Sequence, residues 1–121
     1  MIVDSNILIY SSRPEHVSLR NLLAHPEHAT SDISRLEVLG YKSLQPHEKR
    51  YFEEFFSLFR TVAITPDIID IAIGLRQQKS MSLGDSIVAA TAIQCAMPVM
   101  TRNAKDFSWI SGLTVFDPLA E

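Results

Sequence analysis

The chain has 121 residues, 46% of them apolar, 21% charged and 8% aromatic. That is the size and mix of one soluble globular domain over 1–121, and it excludes a wholly disordered chain. Eleven Lys and Arg against fourteen Asp and Glu give a net charge of −3, which speaks against nucleic-acid binding through an overall basic surface. No apolar run approaches the roughly 20 residues that span a bilayer, the opening segment has no basic leader pattern, and the lone Cys95 cannot form an internal disulfide. These features point to a cytoplasmic protein with no membrane partner.

Apolar periodicity predicts the elements in chain order. Residues 1–3 read as a buried strand stopping at Asp4, followed by a short helix from Asn6 to Tyr10. Residues 15–24 fit an amphipathic helix, and 29–31 a second strand. Ser31 or Asp32 can cap a helix running to about Leu44. Pro46 suits the first turn of a helix over 47–60, in which Phe52, Phe55, Phe56 and Phe59 recur at i, i+3, i+4 and i+7. A strand at 62–64, a helix opened by Pro66, a strongly apolar helix over 83–96 and strands at 99–100 and 113–116 complete the chain. Strand and helix alternate without a hairpin signal. The expected fold is a three-layer α/β/α sandwich with a mainly parallel central sheet.

Four acids occupy unusual places. Asp4 directly follows the first strand, where open α/β sheets form their ligand sites. Asp85 shares a helical stripe with Val88, Ala89, Ala92 and Ala96, so its carboxylate is expected on the core-facing side, near a helix N-terminus that favours an anion. Glu37 has Ile33, Tyr41 and Leu44 at helical spacing and no basic residue at i±3 or i±4, so it too is expected to point inward. Asp106 follows the 99–100 strand, with Thr101 and Asn103 as neighbouring oxygen donors. Taken singly, each has a plain reading as a cap or a solvated acid. Taken together, they are expected to close a ring at the sheet edge. Such a ring wants a hard cation, and oxygen-only ligation suits Mg²⁺ or Mn²⁺ rather than Zn²⁺. The four histidines are read as solvated surface residues.

Carboxylate-held Mg²⁺ suits phosphoryl chemistry, and hydrolysis of a phosphodiester follows as the expected reaction. Four acids removed from fourteen leave ten against eleven Lys and Arg, so the remaining surface is about neutral. Arg102 and Lys105 lie close to Asp106 in sequence and are candidates for phosphate contacts.

Four segments carry a family resemblance. Ile2-Val3-Asp4-Ser5-Asn6-Ile7-Leu8-Ile9-Tyr10 resembles the first motif of PIN-domain nucleases, and Ser34-Arg35-Leu36-Glu37-Val38-Leu39-Gly40-Tyr41 the second. Leu83-Gly84-Asp85-Ser86-Ile87-Val88-Ala89-Ala90-Thr91-Ala92 resembles the third. The fourth is resembled by Val99-Met100-Thr101-Arg102-Asn103-Ala104-Lys105-Asp106-Phe107. Size and spacing are most similar to VapC-type toxins of bacterial toxin–antitoxin pairs. The resemblance implies a Mg²⁺- or Mn²⁺-dependent endoribonuclease acting on tRNA or rRNA, a toxin with a cognate antitoxin, and a homodimer. It implies catalytic and metal-binding roles for Asp4, Glu37, Asp85 and Asp106, supported by Asn6, Thr101 and Asn103. Some relatives carry an acid where this chain has Asn103.

Two other readings fit less well. A phospho-receiver module shares the class and an acidic strand end, but it wants paired acids after the first strand and a lysine after the last, and neither is present. A catalytically inactive PIN-like module that binds RNA or protein would have little reason to keep four acids. Five of the ten aromatics fall between Tyr51 and Phe59, a wider arc than one core stripe needs, so a surface for the antitoxin or a second subunit is expected there. Cys95 is read as a packing residue, and Trp109 as an anchor for the loop after Asp106.

Overall fold

The computed structural model of the chain describes residues 1–120. Five short strands, β1 (Ile2–Val3), β2 (Thr30–Ser31), β3 (Thr61–Val62), β4 (Val99–Met100) and β5 (Val115–Phe116), all pair in parallel. One group runs β1-β4-β5 and the other β2-β3. A parallel bridge between Ile2 and Ala29 joins them, so the spatial order is β3-β2-β1-β4-β5. The chain leaves β1 toward β2 on one side and later returns to β4 on the other. That makes the β1/β4 boundary the topological switch point, where open parallel sheets open a crevice at their carboxyl ends.

The strands sort the core by their alternation. Ile2 and Val99 face one way and pack with Val88, Ala89 and Ala92 of helix α6 (Leu83–Cys95) and Leu75 of α5 (Pro66–Gln78). Val3 and Met100 face the other way, into Ile7 and Leu8 of α1 (Ser5–Ser11), Leu23 of α2 (Val17–Leu23), Val38 of α3 (Asp32–Leu39) and Phe52 of α4 (Pro46–Leu58). Helices therefore cover both faces, as expected. Phe52 and Phe107 are the largest fully buried side chains, and truncating either to Ala is worth about 3–5 kcal/mol.

Several boundaries differ from the sequence expectation. The helix expected to reach Leu44 stops at Leu39, where Gly40 caps it by donating its N–H to the Leu36 carbonyl, and Tyr41 is exposed. The 15–24 helix is a 3-10 turn at Pro14–His16 followed by α2. β3 is shifted to Thr61–Val62 by its register with Thr30 and Ser31. Helix α6 ends at Cys95 because Ala96 turns left-handed, at φ 53° and ψ 45°.

The histidines are not all solvated. His28 is buried, with its Nδ1 3.0 Å from the α-amino nitrogen of Met1. Cys95 is half-buried against the core, as expected of a packing residue. No helix among the described residues is long and apolar enough to cross a membrane.

Candidate active site

Asp4 sits one residue past β1 and Thr101 one residue past β4, at the ends of neighbouring strands. Asp4 is only 5% exposed. Its Oδ1 accepts from the Ser5 amide at 2.8 Å, capping α1, and its Oδ2 accepts from Thr101 Oγ1 at 2.8 Å. Thr101 Oγ1 in turn accepts from the Asn103 amide at 3.1 Å and from Asn6 Nδ2 at 3.4 Å. Asn6 Oδ1 accepts the Arg102 amide at 3.2 Å. The three supporting residues thus form one network under Asp4. They hold its carboxylate and the β4 end in fixed relation.

Burial pushes the Asp4 carboxyl up to about 6, with the Asp85 and Glu37 charges adding to it, while the Thr101 and Ser5 bonds pull it back. The Asp85 carboxyl is also raised, first by burial, then by Asp106, with Glu37 adding and Ser82 opposing. Asp85 is therefore the hub, feeling Asp106 and Glu37 and acting on Asp4. Its position in the first turn of α6 follows from the Ser82 cap, whose Oγ accepts the Asp85 amide at 3.1 Å.

Glu37 departs from expectation. It is exposed, because α3 ends before the Tyr41 and Leu44 positions could extend a core stripe. Its carboxylate nevertheless turns to the site and accepts from Ser5 Oγ at 2.8 Å. Gly84 makes room for it, since a Cβ there would stand 2.6 Å from Glu37 Oε2. Asp106 is exposed, at the end of a 3-10 turn (Ala104–Asp106), and Trp109 Nε1 anchors that turn by donating to the Asp106 carbonyl at 2.9 Å.

The acids form an open arc rather than the closed ring expected. Among the described residues no three His, Cys, Asp or Glu side chains come close enough to make a ready metal cage. None of the four acids has an ion pair either, since the described ion pairs are His25–Glu27 and Arg102–Asp117. The donor set still fits Mg²⁺ or Mn²⁺. All donors are oxygens, and Mg²⁺ is ordinarily held by one or two carboxylates while keeping several waters. Arg102, a candidate phosphate contact, is paired within the chain, its Nη1 donating to both carboxylate oxygens of Asp117 at 3.0 and 3.2 Å. Lys105 is exposed beside Asp106. Sequence reading missed Ser5 and Gly84, whose roles depend on a glutamate 32 residues from Ser5.

Comparison with known proteins bears on the fold. The family model described as "PIN domain" matches residues 1–112. The chain belongs to the PIN-domain family. It is 32% identical to a chain of a toxin–antitoxin complex from Klebsiella pneumoniae, covering 99% of this chain and 98% of that one with a TM-score of 0.80. Two structures of lower identity share the fold. One is DNA-bound VapBC from Salmonella typhimurium, at 23% identity, 96% of each chain and a TM-score of 0.81. The other is FitAcB from Neisseria gonorrhoeae, at 22% identity, 99% of each chain and a TM-score of 0.78. No curated protein matched the sequence.

Proposed function

We propose that this PIN-domain protein is a Mg²⁺- or Mn²⁺-dependent endoribonuclease and the toxin of a toxin–antitoxin pair. The observation that carries the reading is the set of four carboxylates around the switch point, none of which is in an ion pair among the described residues. Such an acidic arc, with its most buried member pushed up to about 6, favours a bound divalent ion.

Asp4 and Asp85 would hold the ion, with Asp106 and Glu37 completing the oxygen set directly or through water. When bound, the metal supplies polarisation of the scissile phosphate and a more acidic bound water. The chain's own groups do the positioning. Thr101 and the Ser5 amide fix both oxygens of Asp4. Ser5 Oγ holds Glu37 over Gly84. Exposed Asp106 is free to orient an attacking water or take its proton.

The proposed partners follow from the same reading and from the similar chain solved in a toxin–antitoxin complex from Klebsiella pneumoniae. They are an RNA substrate of the tRNA or rRNA class, a cognate antitoxin and a second copy of the chain, all in the cytoplasm. The aromatic arc of α4 supports an antitoxin surface. Tyr51, Phe55 and Phe59 are half-buried, Leu58 is 85% exposed, and together with α2 they line a groove of about 530 Å³. The test is incubation of the purified chain with total RNA and Mn²⁺. Discrete fragments are expected, absent with Asp85→Ala or with chelator; fragmentation by the variant equal to that of the native chain refutes the proposal.

A further inference from the structure

At the Asp85 and Asp106 end of the acidic arc lies a small pocket whose basic and aromatic residues the proposed hydrolysis does not use. Lys79, Ser80, Met81, Ser82, Lys105 and Trp109 line it, together with Asp85 and Asp106. Its volume is about 210 Å³, below the roughly 300 Å³ at which drug-sized ligand sites begin, so it suits one small polar unit.

The charge layout is unusual. Two lysines and two acids share this pocket, yet neither lysine forms an ion pair among the described residues. Opposite charges this close would ordinarily pair within the protein. Lys79 is the C-cap of α5, and its ammonium lies 5.6 Å from the centre of the Trp109 ring, a cation–π contact, instead of in an ion pair with either acid. The Trp109 ring is itself pinned by its bond to the Asp106 carbonyl, and it packs on the core. Lys105, one residue before Asp106, is exposed at the same mouth. The acids are left for a cation and the ammonium groups for an anion. A metal-bound phosphodiester chain satisfies both at once.

We infer that the pocket bounded by Lys79, Lys105 and Trp109 is the subsite for the sugar–phosphate unit of single-stranded RNA adjacent to the bond being cut. The inference rests on the ribonuclease reading and deepens it by saying where the flanking strand lies. Lys79 and Lys105 grip the neighbouring phosphate, and Trp109 is a positioning residue that holds Lys79 through its ring face. The unit enters on the α5–α6 side of the arc.

The test uses Lys79→Ala with Lys105→Ala in the full chain, both positions being exposed and outside the core. Binding of a fluorescein-labelled single-stranded oligoribonucleotide is followed by anisotropy in EDTA over a salt series, and cleavage of the same oligonucleotide in Mn²⁺. The double variant is expected to bind about tenfold more weakly, with a salt slope shallower by roughly 0.7 for each phosphate charge no longer neutralised. In cleavage, KM rises about tenfold while kcat stays within about twofold. A control pair of equal charge change, Lys42→Ala with Lys49→Ala, is expected to leave all of these near the native values. Native-like binding and KM in the Lys79/Lys105 variant overturn the subsite, as does an equal loss in the control pair. Binding that depends on the two lysines in a chain that never cuts RNA leaves the subsite standing and overturns the ribonuclease reading instead.

Discussion

Thr101 Oγ1 donates a 2.8 Å hydrogen bond to Asp4 Oδ2, joining two residues 97 positions apart at the ends of adjacent parallel strands. The bond does two things at once. It keeps a buried carboxyl closer to its ionised form, and it seats the turn that carries Asn103 and Asp106, because the same hydroxyl oxygen accepts the Asn103 amide. Thr101→Val removes both functions while keeping the shape. It is expected to destabilise the chain by about 1–3 kcal/mol, to raise the Asp4 carboxyl further and to shift the acid limb of RNA cleavage to higher pH. Thr101→Ser should restore the native profile. A pH–rate profile of the three forms checks this; an unmoved acid limb in the valine variant contradicts it.

Asp4 makes the metal-free fold pH-sensitive in a predictable direction. Its folded carboxyl stands at about 6 against an ordinary 3.8, so the folded chain binds this proton more tightly than the unfolded chain. Stability from this group is fully present below 3.8 and is lost as pH rises through about 6, for a total of about 3 kcal/mol at most. Asp4→Asn carries no such penalty. In EDTA the variant should be more stable than the native chain by about 1–3 kcal/mol at pH 8, with the gap closing toward pH 4. Urea unfolding across that range measures it, and a gap that is constant with pH argues against the buried-carboxylate account.

Gly84 separates function from stability. Alanine at this helical position is favoured over glycine by about 1 kcal/mol. The added Cβ meets only the end of the exposed, flexible Glu37 side chain, at 2.6 Å from Oε2. Gly84→Ala is therefore expected to fold with unchanged or slightly higher Tm while cleavage falls about tenfold or more, as Glu37 leaves Ser5. Loss of folding in this variant, or full activity, contradicts the placement of Glu37.

The strand ends are legible in the sequence because the apolar runs Ile2–Val3 and Val99–Met100 stop abruptly at Asp4 and Thr101, and parallel strands bring such stops to one edge. Asp85 is half-legible: its stripe-mates Val88, Ala89 and Ala92 are buried, but Asp85 itself is only half-buried, and Ala96, the fourth member of the expected stripe, lies past the helix end and is exposed. Glu37 is half-legible. The spacing of Tyr41 and Leu44 carries its helix on too far, and no local pattern shows that Gly40 ends it or that Ser5 draws the carboxylate to the site. The burial of His28 depends on Met1, 27 residues away, and the engagement of Arg102 on Asp117, 15 residues on. Side-chain partnerships of this kind leave no periodicity to read.

The end of α6 offers a test of the backbone alone. Ala96 is exposed and left-handed, at φ 53°, where a Cβ costs roughly 1–2 kcal/mol. Ala96→Gly should raise stability by about 1 kcal/mol with cleavage unchanged. Thermal unfolding checks it, and a fall in Tm contradicts the left-handed cap.

The central claim is that Asp4 and Asp85 face a shared divalent ion. Calorimetric titration of the chelator-treated chain with Mn²⁺ tests it most directly. The account predicts saturable binding by the native chain that is lost or weakened at least tenfold in both Asp4→Asn and Asp85→Asn, with both variants folded. Native-like Mn²⁺ binding by either variant, or no Mn²⁺ binding by the native chain at millimolar concentrations, would contradict it.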